Sequence, residues 1–236
     1  MSKIFEQMLD ELKIPYTSNM IEQFHQYYEI LIEWNKVMNL TGITEYEDVV
    51  SKHFVDSVSI KKAVKMENVN TIIDIGTGAG FPGIPIKIVY PHIHVCLLDS
   101  LNKRIQFLNN VIETLGLKNI ETIHGRAEDY AKQKQYREKY DLCVSRAVAN
   151  LSSLSEYCLP YTQIGGRFVS YKSDDVDDEI KKSEKAIKIL GGSIKKIEKF
   201  VLPKTEIKRS LVVIEKERKT EKKYPRKAGM PTKEPL

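Results

Sequence analysis

The sequence predicts an α/β protein: a mostly parallel seven-stranded sheet entered through a small helical cap and closed by an antiparallel strand pair. Three observations predict it. Apolar residues recur at helical spacing up to about residue 65, and β-branched runs then alternate with helical stretches from 71 to 190. Two strand-like runs follow each other after that without a helix between them. The chain has 236 residues, 42% apolar and 29% charged, which suffices for one large domain and a small appendage.

In the cap, Ile4, Phe5, Met8, Leu9 and Leu12 share one helix face, and Ile21, Phe24, Tyr28, Leu31 and Ile32 share another. Pro15 separates the two helices, Thr17 or Ser18 can cap the second, and Gly42 permits a left-handed stop after Asn39-Leu40-Thr41. A third helix is expected over 46–65. Strands are expected at 71–75, 93–98, 120–123, 142–144 and 167–171, with helices at 83–90, 103–115, 130–138, 151–161 and 176–190. Strands at 194–202 and 207–216 flank Pro203-Lys204-Thr205-Glu206, which reads as an antiparallel pair on the edge of the sheet. The chain thus divides into a helical cap over 1–68, an α/β domain over 69–216 and a basic tail over 217–236. Five βα steps ending in a strand pair are the layout of the class I S-adenosylmethionine-dependent methyltransferase fold, a Rossmann-like architecture, and this analogy of fold raises a prior for function.

Composition excludes several classes. Apolar runs fall far short of the ~20 residues a membrane helix needs. The start Met1-Ser2-Lys3-Ile4-Phe5-Glu6 places an acid where a secretory leader needs its apolar stretch. Cys96, Cys143 and Cys158 form no CxxC pair and are odd in number, against both a disulfide framework and a zinc site. A cytoplasmic monomer without metal or membrane partners is expected. Net charge is +5, unevenly placed: residues 1–70 carry seven basic against eleven acidic side chains, and 215–236 carry eight against four. Such a tail is either a solvated end or a segment that meets phosphates.

The run Asp74-Ile75-Gly76-Thr77-Gly78-Ala79-Gly80-Phe81-Pro82-Gly83 follows a buried strand and precedes a helix, so the backbone turns sharply where a ligand can approach it. Gly78-x-Gly80-x-x-Gly83 also satisfies the dinucleotide fingerprint. Two features favour S-adenosylmethionine over a nicotinamide cofactor. Asp74 suits the cationic amino-acid end, directly or through water, and would repel a pyrophosphate. Phe81-Pro82 removes a backbone donor where a pyrophosphate would need one. Asp99, at the end of the second strand, is placed for ribose hydroxyls. After the third strand, Gly125-Arg126-Ala127-Glu128-Asp129 either receives the adenine edge or caps a helix.

Absences narrow the chemistry. The fourth strand ends Ser145-Arg146-Ala147-Val148, without the Asn/Asp-Pro-Pro-aromatic clamp used on exocyclic amines, and the cysteines read as core residues rather than nucleophiles. Guanine N7 carries an available lone pair, so its methylation requires alignment and electrostatics but no general base.

Taken together, several stretches resemble the family of bacterial small-subunit rRNA guanine-N7 methyltransferases known as RsmG or GidB. They are Trp34-Asn35, Asn39-Leu40-Thr41, His53 with Asp56-Ser57, the stretch 74–85, Leu98-Asp99-Ser100-Leu101-Asn102-Lys103-Arg104, Ser145-Arg146-Ala147-Val148-Ala149, and Tyr224-Pro225-Arg226-Lys227-Ala228-Gly229-Met230-Pro231. The resemblance implies that Gly76, Phe81, Ala127, Glu128 and Arg146 hold S-adenosylmethionine with Asp99 near the ribose. It implies the 530 loop of 16S rRNA, in the small ribosomal subunit, as the site of N7-methylguanosine. On this reading Arg126, Lys172, Arg209, Arg226 and Lys227 face RNA, the tail is ordered, and His53 and Trp34 are packing residues. Where the family often has Lys-Gly, this chain has Lys172-Ser173. The competing readings are an NAD(P)-dependent oxidoreductase and a non-catalytic RNA-binding assembly factor. Gly78→Asp is expected to abolish binding of S-adenosylmethionine in titration calorimetry without unfolding the chain; unchanged affinity would refute the loop as the site.

Overall fold

The computed structural model describes residues 3–146 and 148–236; Met1, Ser2 and Ala147, which belong to two of the motifs quoted above, lie outside the described residues. The cap contains α1 (Lys3–Glu11), α2 (Ser18–Met38) and α3 (Tyr46–Val49). A π-helical turn over Val50–Val55 leads into α4 (Asp56–Val58), with 3₁₀ turns at Ser59–Lys62 and Met66–Asn68. The alternating part runs β1 (Thr71–Ile75), α5 (Gly83–Val89), β2 (His94–Asp99), α6 (Asn102–Thr114), β3 (Ile120–His124), α7 (Ala127–Tyr130), β4 (Tyr140–Arg146), α8 (Leu151–Cys158), β5 (Thr162–Lys172) and α9 (Asp177–Ile189). Then come β6 (Gly192–Val201), β7 (Lys208–Lys216) and the single turn α10 (Met230–Lys233).

The seven strands lie in the order β3-β2-β1-β4-β5-β7-β6, all parallel except β7, which runs antiparallel to both its neighbours. This is the class I methyltransferase arrangement. The last strand enters the gap beside β5 and leaves β6 at the edge, and the sequence explains why. Leu211-Val212-Val213-Ile214 is an unbroken apolar run suited to a covered strand, whereas β6 carries lysines along an exposed face. Strand order reverses between β1 and β4, so the connections leaving those two strands diverge and open a crevice at their carboxyl ends.

Three sequence expectations change. Thr17 caps α2 as expected, but Asn39 supplies the left-handed stop, with φ of 49° and its N–H donating to Asn35 O. Asparagine tolerates that conformation, and the helix therefore ends before reaching Gly42. The helix expected over 46–65 is broken by the wide π turn, which carries His53 and precedes Asp56, both facing Arg146. The helix expected over 130–138 is reduced to α7 and a series of turns, because Lys132 to Lys134 and Arg137-Glu138 offer no apolar face to bury.

The cap shares one core with the sheet. Phe5, Phe24, Tyr27 and Phe54 are fully buried with Ile72, Ile84 and Leu97. Ring centroids lie 5.0 Å apart for Phe5 with Phe24 and for Phe24 with Phe54, and 5.4 Å apart for Tyr27 with Phe54. Trp34 packs edge-on against Phe107 of α6 at 5.7 Å. The Tyr27 hydroxyl reaches further and donates to Ala79 O, tying α2 to the glycine loop. Phe54→Ala should lower unfolding free energy by about 3–5 kcal/mol in urea titration; a loss under ~1 kcal/mol would mean that the cap does not fold cooperatively with the sheet.

Candidate functional site

The crevice at the ends of β1 and β4 opens into a cavity of about 400 Å³ whose walls include Gly76, Leu98, Asp99, Ala127, Glu128 and Val148. Its floor is set by the loop after β1. Gly76 adopts φ of 69°, and a Cβ there would lie 2.7 Å from Val148 Cγ2, so glycine lets the loop after β1 pass close to the segment after β4. Asp99 is buried and fixed: Oδ2 accepts from Gly78 N (3.0 Å) and Arg104 Nη1 (3.1 Å), and Oδ1 accepts from Leu101 N (2.9 Å).

The loop is braced from behind by Asp74, which is fully buried. Its Oδ2 accepts from Thr77 Oγ1 (2.7 Å) and Gly83 N (2.9 Å), while Oδ1 is buried without a partner. Burial raises the Asp74 carboxyl to about 7, against the hydrogen bonds from Thr77 and Gly83. These contacts also dispose of the nicotinamide reading. Gly78 N is committed to Asp99, Gly80 N and Phe81 N to Thr77 O, and Gly83 N to Asp74, so the fingerprint's donors are spent inside the protein instead of facing a pyrophosphate.

A second cavity of about 460 Å³ lies on the other side of the end of β4, lined by Lys52, His53, Asp56, Arg146, Lys172 and Arg209 among others. Asp56 is its organiser. Arg146 Nη1 donates to Oδ2 (2.8 Å) and Arg209 Nε to Oδ1 (3.1 Å), so one buried carboxylate aligns two guanidinium groups. Arg146 also donates to Lys52 O (3.0 Å) and to His53 Nδ1 (3.2 Å), and its Cζ lies 5.1 Å from the centroid of the Phe81 ring. Arginine has no acceptor, so His53 Nδ1 is the unprotonated nitrogen and Nε2–H donates to Thr41 Oγ1 at 2.9 Å. Burial, followed by the Arg146 charge, lowers His53 to about 3. The ring stacks on Phe81 at 4.4 Å. Lys172 pairs with Glu179 (2.7 Å) and also donates to Ala149 O (3.1 Å), linking this cavity to the segment that lines the first.

The structure therefore brings Gly76, Asp99, Ala127 and Glu128 together in the first cavity, with Arg126 exposed at its rim and Gly78 supporting Asp99. Asp74, Phe81 and Arg146 stand outside that lining: Asp74 is beneath the loop, Arg146 lines the second cavity, and Phe81 stacks beside it on His53 and beneath the Arg146 guanidinium. Lys172 and Arg209 line the second cavity and Lys227 is exposed. Arg226, expected to face RNA, is engaged inside the protein. It wraps the buried carboxylate of Glu156, with Nε–Oε1 at 3.0 Å and Nη2–Oε2 at 2.7 Å, which pins the tail to α8. Glu128 neither caps α7 nor stands alone, since Oε1 accepts from Gly229 N at 2.8 Å. Sequence reasoning missed Glu156 and Glu179. An acid inside the otherwise apolar and small run of α8 was the available signal for the first, because a buried charge demands a partner. All three cysteines are buried, and burial pushes the Cys96 thiol up to about 12 and Cys143 well above its usual value, so neither is a thiolate nucleophile. Among the described residues no cluster of three or more His, Cys, Asp or Glu could hold a metal ion, and no helix is long and apolar enough to cross a membrane.

A family model described as rRNA small subunit methyltransferase G matches residues 20–212. The chain belongs to this family. Ribosomal RNA small subunit methyltransferase G of Lachnoclostridium phytofermentans is 52% identical over 232 residues, 98% of this chain and 96% of that protein. Its counterpart in Desulforamulus reducens is 53% identical over 231 residues, again 98% and 96%. Solved structures share the fold at far lower identity. M. jannaschii TYW2 in complex with AdoMet aligns at TM-score 0.51 and 11% identity, covering 68% of this chain and 76% of that one. The StiE O-MT structure aligns at 0.55 and 15%, covering 71% and 75%. Membership in the methyltransferase G family places a methyltransferase fold behind both cavities.

The folded chain resists protonation at His53 until about pH 3, whereas the unfolded chain accepts that proton near 6.5. His53 therefore contributes stability above about pH 6.5 that is lost as pH falls toward 3. Asp74 has the opposite sign: raised from 3.8 to about 7, it contributes stability at low pH that is lost as pH rises through 7. In urea titrations, the advantage of the wild type over His53→Gln should shrink between about pH 7 and about pH 5. A constant advantage would mean that His53 is not held neutral.

Proposed function

We propose that the chain transfers a methyl group from S-adenosylmethionine to N7 of a guanine in the 530 loop of 16S rRNA, within the small ribosomal subunit. The observation that carries this reading is the pairing of the two cavities: a crevice lined by Asp99 and Glu128 at the switch point of a methyltransferase sheet, next to a cavity rich in aligned cations. The relatives named as rRNA small subunit methyltransferases support the substrate class. The crevice fits the cofactor. Its volume of about 400 Å³ falls in the range of small-molecule sites, and Gly76 leaves backbone exposed where a side chain would obstruct.

In this reading Asp99, Ala127 and Glu128 hold the nucleoside, Gly76 and Gly78 form the cradle, and Asp74, Phe81 and Arg146 keep the loop and its surroundings in place. Bound S-adenosylmethionine supplies an electrophilic methyl group. Arg126, Lys172 and Arg209 meet the RNA, and Lys227 lies on the exposed face of the tail. Arg146 and Arg209 have little freedom because Asp56 orients both, so they lose little entropy when an anion or a base edge arrives. The chain needs no base: guanine N7 is a nucleophile without deprotonation, and His53 has both nitrogens engaged. Alignment and a preorganised cationic field are the protein's contribution.

Incubation with tritiated methyl donor and small subunits from cells lacking the modification is expected to label one guanine of the 530 loop at N7. Binding of the subunit without transfer would favour an assembly factor. Label on another atom or nucleotide would overturn the specificity.

A further inference from the structure

Beyond β7 the chain continues through a tail that reaches back to the crevice. Arg137 fixes its beginning, donating to the carbonyls of Thr220 (2.8 Å) and Tyr224 (3.0 Å), and Tyr224 and Pro225 are buried. Arg226 then grips Glu156, a carboxylate only 1% exposed, through its backbone N–H (2.7 Å) and its guanidinium. Beyond this anchor, Gly229 N donates to Glu128 Oε1 (2.8 Å), Ser153 donates to Pro231 O (2.7 Å), and the Thr232 and Tyr157 hydroxyls meet at 2.7 Å. Glu128, Tyr157, Gly229 and Thr232 all line the first cavity.

We propose that residues 226–234 form a cofactor-retaining strap, docked through Glu156 and Glu128, that supplies one wall of the crevice and couples its own docking to cofactor affinity. The proposal rests on the reading that this crevice takes S-adenosylmethionine. The strap is unevenly held. Its root is tied by a charge-assisted fork to a buried carboxylate that would be costly to leave unpaired. Lys227, Ala228, Gly229 and Thr232 to Pro235 are exposed, and Pro231 is the one buried residue among 227–235, so this part hangs on a few hydrogen bonds, including those from Arg226 Nη2 to Glu234 O (2.8 Å) and from Ser152 Oγ to Leu236 O (3.2 Å). Segments with few apolar anchors open locally at small cost. Opening here removes Gly229 and Thr232 from the crevice wall and frees the Glu128 carboxylate. A ligand that contacts the closed wall must in turn favour docking, because coupling between two equilibria is reciprocal.

Gly229 provides the test. It holds φ of 83°, a conformation a β-branched residue resists, and a Cβ there meets nothing within 4 Å, so Gly229→Val strains the docked backbone without a clash at the β-carbon. Affinity and dissociation rate of S-adenosylhomocysteine would be measured by calorimetry and stopped flow for the wild type, for Gly229→Val and for a chain ending at Pro225. The expected result is at least a fivefold faster dissociation and weaker binding in Gly229→Val at unchanged melting temperature, with a larger loss on truncation. Hydrogen exchange of the wild type at 227–233 should slow when the ligand binds. Equal affinity and dissociation in wild type and Gly229→Val overturns the strap alone. Failure of the wild type to bind the ligand overturns the cofactor reading and the strap with it.

Discussion

A buried carboxylate with two hydrogen bonds holds the site together. Asp74 gathers the Thr77 hydroxyl and the Gly83 amide onto one oxygen and so closes the loop between β1 and α5. Without that closure Gly78 would not present its N–H to Asp99, Gly76 would not abut Val148, and the crevice would have no floor. The arrangement is costly, since burial raises the Asp74 carboxyl toward neutrality and leaves Oδ1 unpartnered. The cap offsets some of that cost from above. Tyr27 of α2 bonds Ala79 O, and its ring lies 5.3 Å from that of Phe81, so the loop is held between the sheet and a helical residue 52 positions earlier.

The same device, an acid that positions cations, recurs around the site. Asp56 aligns Arg146 and Arg209, Glu179 holds Lys172, and Glu156 holds Arg226. Each pair removes conformational freedom from a long basic side chain before any partner arrives. The outcome differs with placement. Arg146, Arg209 and Lys172 remain on the wall of a cavity, whereas Arg226 has spent its guanidinium on Glu156 and on Glu234 O and serves as an anchor. Net charge at the tail is thus a poor guide to which of its cations face outward.

Much of this was legible in the amino-acid order. The strand and helix sequence, the glycine loop and Asp99 follow from local periodicity and from residue types that a tight turn requires. The antiparallel pair at the sheet edge was legible too, but not the insertion of β7 between β5 and β6, although its continuous apolar run suits a covered strand. What was not legible depends on contacts between distant segments. The π turn that carries His53, and the choice of Asn39 over Gly42 as the stop, reflect where Asp56 and Thr41 must lie relative to Arg146. Seventy residues separate Arg226 from Glu156 and 101 separate Gly229 from Glu128, distances across which no periodicity carries information. Asp74 was legible as a special acid, but its burial beneath the loop was not, because position in sequence does not tell a ligand contact from a brace.

The account stands or falls on what the crevice between Gly76 and Glu128 receives. A crystal structure of the chain grown with S-adenosylhomocysteine tests this most directly. Density for the nucleoside is expected between Asp99 and Ala127, with the amino-acid end along the Gly76 loop. Density confined to the cavity around Asp56, or anywhere else on the molecule, would contradict it.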